Sequence, residues 1–410
     1  MSIISRMMQR DAVSTLSKPT EWLNSMFGGL SSSGVHVTAE RSLQHTSVYS
    51  CVNILSETLS TLPLFLYKEE TKNKKNIKQK AKTHPLYMLL LDEPNEDMTS
   101  VAYFQLVMLE LTLRGNHYSQ IIRNNAGKVT AIYPLKNERM QIVRLESGKL
   151  AYIYRHTTLG EVPLEASEVL HFKGMTLDGI VGISPITYNR HTIGASIAME
   201  EFGSTLFKNG ATPSGVVSGE GVKSMSDTAF ERFKKSFRDA YTGIMNAGKP
   251  LILEDGFKFT PITISNRDGQ YIESRKFTKA EIASIFRVPL HMINELDKAT
   301  FSNIEHQSIK FVTDAIYPWA VRIEKELKKK LLTQQEKKNF YMKFSLAALL
   351  RGDVSSRYTA YESAITKGCW MSRNEARELE DLNPIDGLDE MIVPLNFGKE
   401  GDANGKKTTK

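Results

Sequence analysis

The chain has 410 residues, of which 41% are hydrophobic and 24% are charged, a composition typical of globular proteins. At roughly 100–200 residues per domain, we expect two to four domains. The longest apolar run, at 86–91, falls short of the roughly 20 residues that span a membrane, and the first residues lack the apolar core of a secretory signal. Cys51 and Cys369 are too far apart to suggest a disulfide framework or a metal site, which fits a reducing, cytoplasmic folding compartment.

The formal net charge of +7 permits a nucleic-acid partner without requiring one. Residues 68–82 contain seven lysines and two glutamates, and a second basic run covers 325–338. We interpret these as a solvated loop and a solvated helix face, because neither has the interleaved aromatic residues that stack on bases.

Residues 1–45 lack hydrophobic periodicity and are predicted to form a flexible arm. Apolar spacing then predicts a helix over 48–62, and Pro63 favours a change to a strand at 64–67. A second helix is predicted over 100–114, because Gly115 is a typical residue beyond a helix end.

Two strands, at 118–123 and 128–134, are predicted to flank a turn at 124–127, and more short strands continue to about residue 173. This half of the chain is therefore expected to be α+β with a mostly antiparallel sheet.

The second half is predicted to contain two long helices around a small α/β insert. Ser184 and Pro185 begin a helix over 185–209, and a second helix runs over 268–287. The insert between them has predicted strands at 214–218, 250–254 and 257–264 and a helix at 226–242.

A loop at 289–303 leads to a third long helix at 304–331, which Pro318 is expected to kink because it lacks a backbone donor. A strand is predicted at 340–344.

A helical hairpin follows this strand. Its first helix begins at Asp353 and ends at Gly368, and its second begins with a capping box of Ser372 and Glu375. The polar tail from Gly398 is predicted to be disordered.

No motif in the sequence assembles an active site. The segment 246–250 lacks the glycine spacing of a phosphate-binding loop, and Gly179 with Gly182 favours a tight turn over an anion site. The nine histidines lack metal-ligand spacing, and Asp381, Asp386 and Asp389 have no histidine nearby. We therefore expect no catalytic residue, no metal and no cofactor.

Several segments occur in a fixed order over most of the chain. They are HPLYMLL with EPN (84–95), LRGNHYSQIIRNNAGKV (113–129), DGIVGISP (178–185), FKNGATPSGVV (207–217), the run 270–289, ATFSNIEHQS (299–308), LLRGD (349–353) and NEAR (374–377). As an ordered set they resemble the portal proteins of tailed bacteriophages of the long, non-contractile-tailed type.

The resemblance implies an α+β portal fold made of a wing, stem helices, a clip, a kinked helix and a crown. By this resemblance the parts are an arm at 1–45, the wing at 46–183, stem helix 1 at 184–210, the clip at 211–265, stem helix 2 at 266–288, a tunnel loop at 289–303, the kinked helix and a wing strand at 304–347, crown helices at 348–397 and a tail at 398–410.

In that family twelve copies form a ring at one capsid vertex, and DNA enters and leaves through its channel. The resemblance places four candidate contacts with the DNA in the tunnel loop, namely His291, Asn294, Lys298 and Thr300. With Glu295 and Asp297, the loop has a formal charge of about −1. Such a lining suits sliding, since each phosphate held by a cation adds affinity.

The implied partners are further copies of the chain, most simply a dodecamer, and double-stranded DNA in the channel. Terminase, a head-tail adaptor, and the major capsid and scaffold proteins are implied as well, but no membrane. The implied location is the virion, at the portal vertex, after assembly in the host cytoplasm. Two alternatives stay open: a DNA-packaging or DNA-processing enzyme, such as a nuclease or motor subunit, and a ring-forming structural protein of the host. Missing nucleotide-binding and metal-ligand motifs count against the enzyme.

Overall fold

A computed structural model describes most of the chain. The described residues are 12–15, 30–72, 75–208, 215–219, 226–241, 257–261, 267–295, 301–346, 349, 354–380 and 382–392. The chain divides into two compact units, Met1–Ser345 and Leu346–Lys410. Within the described residues, no helix is both long and apolar enough to span a membrane.

The larger unit contains most of the regular elements. Its helices are α1 (Ala39–Leu43), α2 (Thr46–Ser60), α3 (Pro85–Leu91), α4 (Ser100–Arg114), α5 (Pro185–Tyr188), α6 (Arg190–Lys208), α7 (Asp227–Tyr241), α8 (Arg267–Phe286), α9 (Phe301–Lys310), α10 (Tyr317–Leu331) and α11 (Glu336–Asn339). Its strands are β1 (Ala12–Thr15), β2 (Leu64–Lys72), β3 (Lys75–Lys80), β4 (Asn116–Arg123), β5 (Val129–Leu135), β6 (Met140–Leu145), β7 (Leu150–His156), β8 (Gly160–Glu165), β9 (Val169–Lys173), β10 (Gly215–Gly219), β11 (Phe257–Pro261) and β12 (Phe340–Phe344).

These strands form four sheets, with orders β1-β6-β7-β8, β12-β2-β3, β5-β4-β9 and β10-β11. Every described pairing is antiparallel, which confirms the predicted α+β class. The late strand β12 pairs with β2, with Phe344 opposite Leu64. The chain near residue 340 therefore returns to a sheet begun almost 300 residues earlier.

Helix α2 lies at the centre of the core. It packs against α4 and against α8, and its residues Val48, Cys51, Leu55 and Leu59 are almost fully buried. Burial of each leucine stabilises the fold by about 2 kcal/mol relative to exposure. Burial also raises the pKa of the Cys51 thiol to about 12.

Residues 30–45 are packed, which differs from the predicted flexible arm. Val35 and Val37 are buried, the backbone amide of Ser32 donates to His191 Nδ1 (3.0 Å), and Arg41 forms an ion pair with Glu201 (2.6 Å). Two isolated valines produce no periodicity, so the sequence pattern could not reveal contacts with a helix some 150 residues away. The arm's remaining residues, apart from β1, lie outside the described ranges.

The basic segment 68–82 was predicted to be a loop, but it forms most of the hairpin β2–β3. The strand continues beyond the buried Leu64 and Leu66 because backbone pairing with β3 tolerates polar side chains on a solvated face. Lys68 pairs with Glu70, and Lys80 Nζ lies 4.6 Å from the centre of the Phe65 ring.

The helix predicted over 185–209 is divided at Asn189 into α5 and α6. The backbone ψ of Asn189 is 23°, and its side-chain Nδ2 donates to the carbonyl of Pro185 (2.9 Å). The backbone amide of Asn189 donates to the same carbonyl (3.1 Å), so the hydrogen bond of this turn is kept and the break lies in the backbone dihedrals of Asn189.

The predicted interruption at Pro318 is confirmed, although the helix begins at Phe301 rather than 304. A π turn, Phe311–Ile316, joins α9 to α10. Pro318 has no amide to offer the carbonyl of Asp314, four residues earlier, and this carbonyl accepts from Arg287 Nη1 instead (3.2 Å).

In the insert, β10, α7 and β11 lie close to their predicted positions, while the strand predicted at 250–254 lies outside the described residues.

The smaller unit contains α12 (Val354–Glu362), a π turn (Ser363–Lys367) and α13 (Arg373–Leu379). The predicted capping box is confirmed, since Ser372 Oγ accepts from the Glu375 amide (3.1 Å) and Glu375 Oε2 accepts from the Ser372 amide (2.8 Å). Asp353 and the tail from Gly398 lie outside the described residues.

A backbone-to-backbone contact fixes where α4 ends and α5 begins. Gly115 has a φ of 76°, and a Cβ added there would lie 2.1 Å from the carbonyl oxygen of Ile183. A Cβ on Gly182 would lie 1.9 Å from the carbonyl oxygen of Gly115. No side chain larger than hydrogen fits at either position.

Substitution Gly115→Ala is expected to lower the free energy of unfolding by about 3 kcal/mol or more, since a positive φ costs about 1–2 kcal/mol and the clash adds to it. The matched control is Gly148→Ala, where φ is 77° and nothing lies within 4 Å of the new Cβ. It should cost about 1 kcal/mol. Equal losses for both variants, measured by denaturant unfolding, would contradict the close approach.

Candidate functional site

The candidate channel segment is the predicted loop 289–303, of which the structure describes residues 289–295, after the end of α8. It contains a 3₁₀ helix, Leu290–Ile293, where the sequence predicted a loop. Val288 and Ile293 are buried, and the 3₁₀ helix packs against α2. This part of the predicted loop is therefore anchored to the central core.

The structure describes two of the four predicted contact residues. His291 Nδ1 lies 2.9 Å from Gln307 Oε1, which ties the 3₁₀ helix to α9. Asn294 ends the 3₁₀ helix with a left-handed φ of 59°, a conformation that asparagine tolerates. Lys298 and Thr300 lie outside the described residues, so the structure brings only His291 and Asn294 together.

One residue that the sequence did not single out changes the charge of this segment. Lys279 Nζ, on α8, lies 2.9 Å from Glu295 Oε2, and both side chains are largely buried. Glu295 is therefore neutralised within its own subunit. A separation of 16 residues across a helix end gives no sequence signal for this pair.

A second constellation has the hydrogen-bond order of a catalytic triad. Ser119 Oγ lies 2.8 Å from His117 Nε2, and His117 Nδ1 lies 2.7 Å from Glu110 Oε2. Because a carboxylate only accepts, Nδ1 carries a proton and donates a hydrogen bond to Glu110. The sequence shows no nucleophile motif here, and this arrangement was not predicted.

The burial of this triad-like group makes it structural. Ser119 and His117 are 0% exposed, and the Tyr103 hydroxyl lies 2.9 Å from Ser119 Oγ. The His117 ring packs between those of Tyr103 and Phe172. Because the serine and the histidine are fully buried, these side chains satisfy one another as a buried polar network.

A neighbouring network joins the LRGNHYSQ segment to the DGIVGISP segment. Asn116 Oδ1 accepts from the Gly182 amide (2.7 Å) and from His171 Nε2 (2.9 Å), and Asn116 Nδ2 donates to the Gly182 carbonyl (2.7 Å). The Tyr152 hydroxyl lies 3.3 Å from His171 Nδ1. Because Asn116 Oδ1 only accepts, Nε2 is the protonated nitrogen and the ring is neutral. Burial lowers the pKa of His171 well below its usual value.

The Gly179–Gly182 turn is the predicted tight turn, and the backbone amides of residues 180–183 all donate to acceptors within the chain. Asp178 Oδ1 accepts from the amides of Ile180 (2.7 Å) and Val181 (2.9 Å). Asn116 Oδ1 accepts from the amide of Gly182, and the amide of Ile183 donates to the Met175 carbonyl (2.7 Å). Phosphate binding requires such donors to point outward.

In the described part of the chain, no three His, Cys, Asp or Glu side chains are grouped to hold a metal ion. Of the acidic residues near 381–389, Asp389 accepts from Asn374 Nδ2 (2.8 Å), and Asp381 lies outside the described residues.

Comparison with known proteins gives consistent matches. The family described as "Phage portal protein" matches residues 46–381. The chain is 30% identical over 379 residues to the portal protein of Enterobacteria phage HK97, with 90% of this chain and 88% of that protein covered. It is 32% identical over 390 residues to the probable portal protein of Streptomyces phage phiC31, with 92% and 83% covered. In structure it is similar to a chain from the neck of a native gene transfer agent particle computed with C12 symmetry, with a TM-score of 0.58, 20% identity, and 93% and 99% coverage.

The buried neutral histidine predicts a loss of stability at low pH. Because the folded-state pKa of His171 is depressed, the unfolded chain binds a proton that the folded chain does not, and stability falls as pH drops below about 6.5. The slope is expected to be up to about 1.4 kcal/mol per pH unit for this residue. His45, whose pKa burial also lowers, adds to it.

Denaturant unfolding between pH 8 and pH 5 measures this slope. His171→Gln should destabilise the protein and flatten the slope. Tyr152→Phe removes only the hydroxyl beside Nδ1, so it should destabilise the protein and leave the slope intact. A slope that is unchanged in His171→Gln would contradict the assignment.

The Lys279–Glu295 pair predicts measurable coupling. A double-mutant cycle of Lys279→Met and Glu295→Gln should give about 1 kcal/mol, because both groups are partly desolvated. The exposed pair Arg155–Glu161 serves as the control and should give less than about 0.5 kcal/mol. Coupling at Lys279–Glu295 no larger than at the control would mean that Lys279 does not offset the charge of Glu295.

Proposed function

The chain belongs to the phage portal protein family, and we propose that it forms a dodecameric ring at one capsid vertex through which DNA is packaged and ejected. The observation that carries the proposal is the family match over residues 46–381, together with the similarity to two portal proteins along most of the chain. Similarity in fold to a chain in a neck computed with C12 symmetry supports twelve copies.

The helices around the channel segment support a wall-forming role. Helix α8 has 20 residues, a length of about 30 Å, and packs against both α6 and α2. Repeating this pair around an axis produces a continuous wall of helices. By this proposal α6 and α8 are the stem helices.

The proposed channel lining is nearly neutral, which suits DNA that must slide. Glu295 is neutralised by Lys279, and the formal charges of Asp297 and Lys298 cancel. The lining charge is therefore close to zero per subunit rather than the −1 expected from the sequence. A ring without excess cations has little phosphate affinity to hold DNA in place. His291, Asn294, Lys298 and Thr300 stay the proposed contact residues.

The remaining parts have proposed partners. The insert that contains β10, α7 and β11 is the proposed clip, where terminase and later the head-tail adaptor dock. The sheets before α5, with β12, are the proposed wing, which faces the major capsid and scaffold proteins. The smaller unit is the proposed crown. The ring assembles in the host cytoplasm and remains in the virion, and the proposed role is structural, with no catalytic step.

The mass of the purified chain in solution tests this proposal. Twelve copies of a 46.2 kDa chain give about 0.55 MDa, and native mass spectrometry should detect a closed ring of about a dozen copies. Negative-stain images of the same sample should have a central hole wide enough for duplex DNA. A chain that remains monomeric or dimeric at all concentrations and salt conditions would contradict the proposal.

A further inference from the structure

A cluster of cations lies beside β9 and the last turn of α10. It consists of Arg123, Lys173, Lys329, Lys330 and Lys337. Their hydrogen bonds go mainly to uncharged groups. Lys173 Nζ donates to the carbonyl of Gly179 (2.7 Å), Arg123 Nη2 donates to the carbonyl of Lys330 (2.8 Å), and Lys330 Nζ donates to the carbonyl of Ala166.

Few negative groups offset these charges. Glu326 Oε2 lies 3.6 Å from Lys329 Nζ and is shared among the lysines, and Asp178 lies near Lys173. The carboxyl end of α10 contributes roughly half a negative charge. Burial and then the neighbouring lysines lower the pKa of Lys330, despite Glu326. The basic cluster therefore has excess positive charge that an anionic surface would stabilise.

An acidic loop connects α3 to α4. Asp92, Glu93, Glu96 and Asp97 are all exposed, and none of them forms an ion pair within the described residues. The loop is held rigidly against β5. Asn95 Nδ2 donates to the carbonyl of Ile132 (2.7 Å), and the amide of Ile132 donates to the carbonyl of Pro94 (2.8 Å).

The two charged surfaces flank opposite edges of one sheet. In the order β5-β4-β9, the acidic loop borders β5, and the basic cluster borders β9. Each surface also has exposed apolar side chains beside it. Met175 and Leu177, 60% and 70% exposed, follow β9, while Met88 and Val101 lie at either end of the acidic loop. Charge mixed with exposed apolar groups is typical of protein interfaces.

We infer that in the ring the basic cluster of one subunit docks on the acidic loop of the next copy of this chain. The inference rests on the proposed ring. A cyclic ring uses head-to-tail contacts, so each subunit needs two different and complementary surfaces on separate sides. Duplex DNA would complement the basic cluster alone, and the rigid acidic loop with its apolar neighbours would have no role. A second copy complements both surfaces at once, and opposite charges also fix the register of the contact.

A charge swap tests this contact. The basic-side variant is Lys329→Glu with Lys337→Glu, and the acidic-side variant is Glu96→Lys with Asp97→Lys. Each variant should raise the protein concentration at which half of the chains are in rings by about tenfold or more. Light scattering with native mass spectrometry measures this concentration. The variant with all four substitutions should recover to within about threefold of the original chain, because the contact is restored with its charges exchanged.

The matched control is Lys78→Glu with Lys82→Glu, which reverses two exposed lysines that belong to neither charged surface and should assemble like the original chain. Circular dichroism and unfolding midpoints verify that every variant is folded.

Assembly of both single-side variants at the original concentration would overturn the inference. A four-substitution variant that assembles no better than either single-side variant would overturn it as well. If the basic-side variant forms normal rings but binds duplex DNA more weakly than the original chain, the inference would be overturned, and the basic cluster would be a nucleic-acid surface. If the original chain itself forms no ring, both the proposed function and this inference fail. In the other negative outcomes the original chain still forms rings, so only the inference fails.

Discussion

The close approach of two backbones at Gly115 and Gly182 is the constraint on which the rest of the larger unit depends. It places the end of α4 against the start of α5, and the side chain of Asn116 then bonds both backbone groups of Gly182. Asn116 Oδ1 also accepts a hydrogen bond from His171 of β9. One residue therefore connects a helix end, a sheet and the beginning of the long helices. A buried asparagine with all its hydrogen bonds made is costly to disturb, because any loss leaves unpaired polar atoms in the core.

This constraint joins the LRGNHYSQ and DGIVGISP segments, two of the segments by which the chain resembles portal proteins. They are 66 residues apart between Asn116 and Gly182, yet they form one structural joint rather than an active site. The same region contains a serine, histidine and glutamate in triad order, and burial alone decides that it is structural. Helix α2 extends the joint to the channel segment, because it packs against α4 on the sheet side and against α8 and the 3₁₀ helix at 290–293. The segment proposed to contact DNA is thereby held by the same core as the sheets.

Elements with strong local signals were predictable from sequence. Helix α4 ends at Gly115 as expected, β12 lies at 340–344, and the Ser372–Glu375 capping box forms with both hydrogen bonds. Errors arose where distant contacts outweigh local pattern. Residues 30–45 pack onto α6 through Ser32 and Arg41, and a lysine-rich segment pairs as a hairpin. Near the candidate site, the sequence does not reveal Lys279, because only the folded backbone brings it to Glu295.

The central claim is that this chain lines a channel with the loop at 289–303, held by α8 and α2. An electron cryomicroscopy reconstruction of the assembled ring, with duplex DNA captured in its axial hole, tests it most directly. The ring should have α6 and α8 along the hole and His291 and Asn294 in the segment nearest the axis, with no continuous DNA density at Lys68–Lys82. A ring in which this segment faces outward, or one with no axial passage, would contradict the claim.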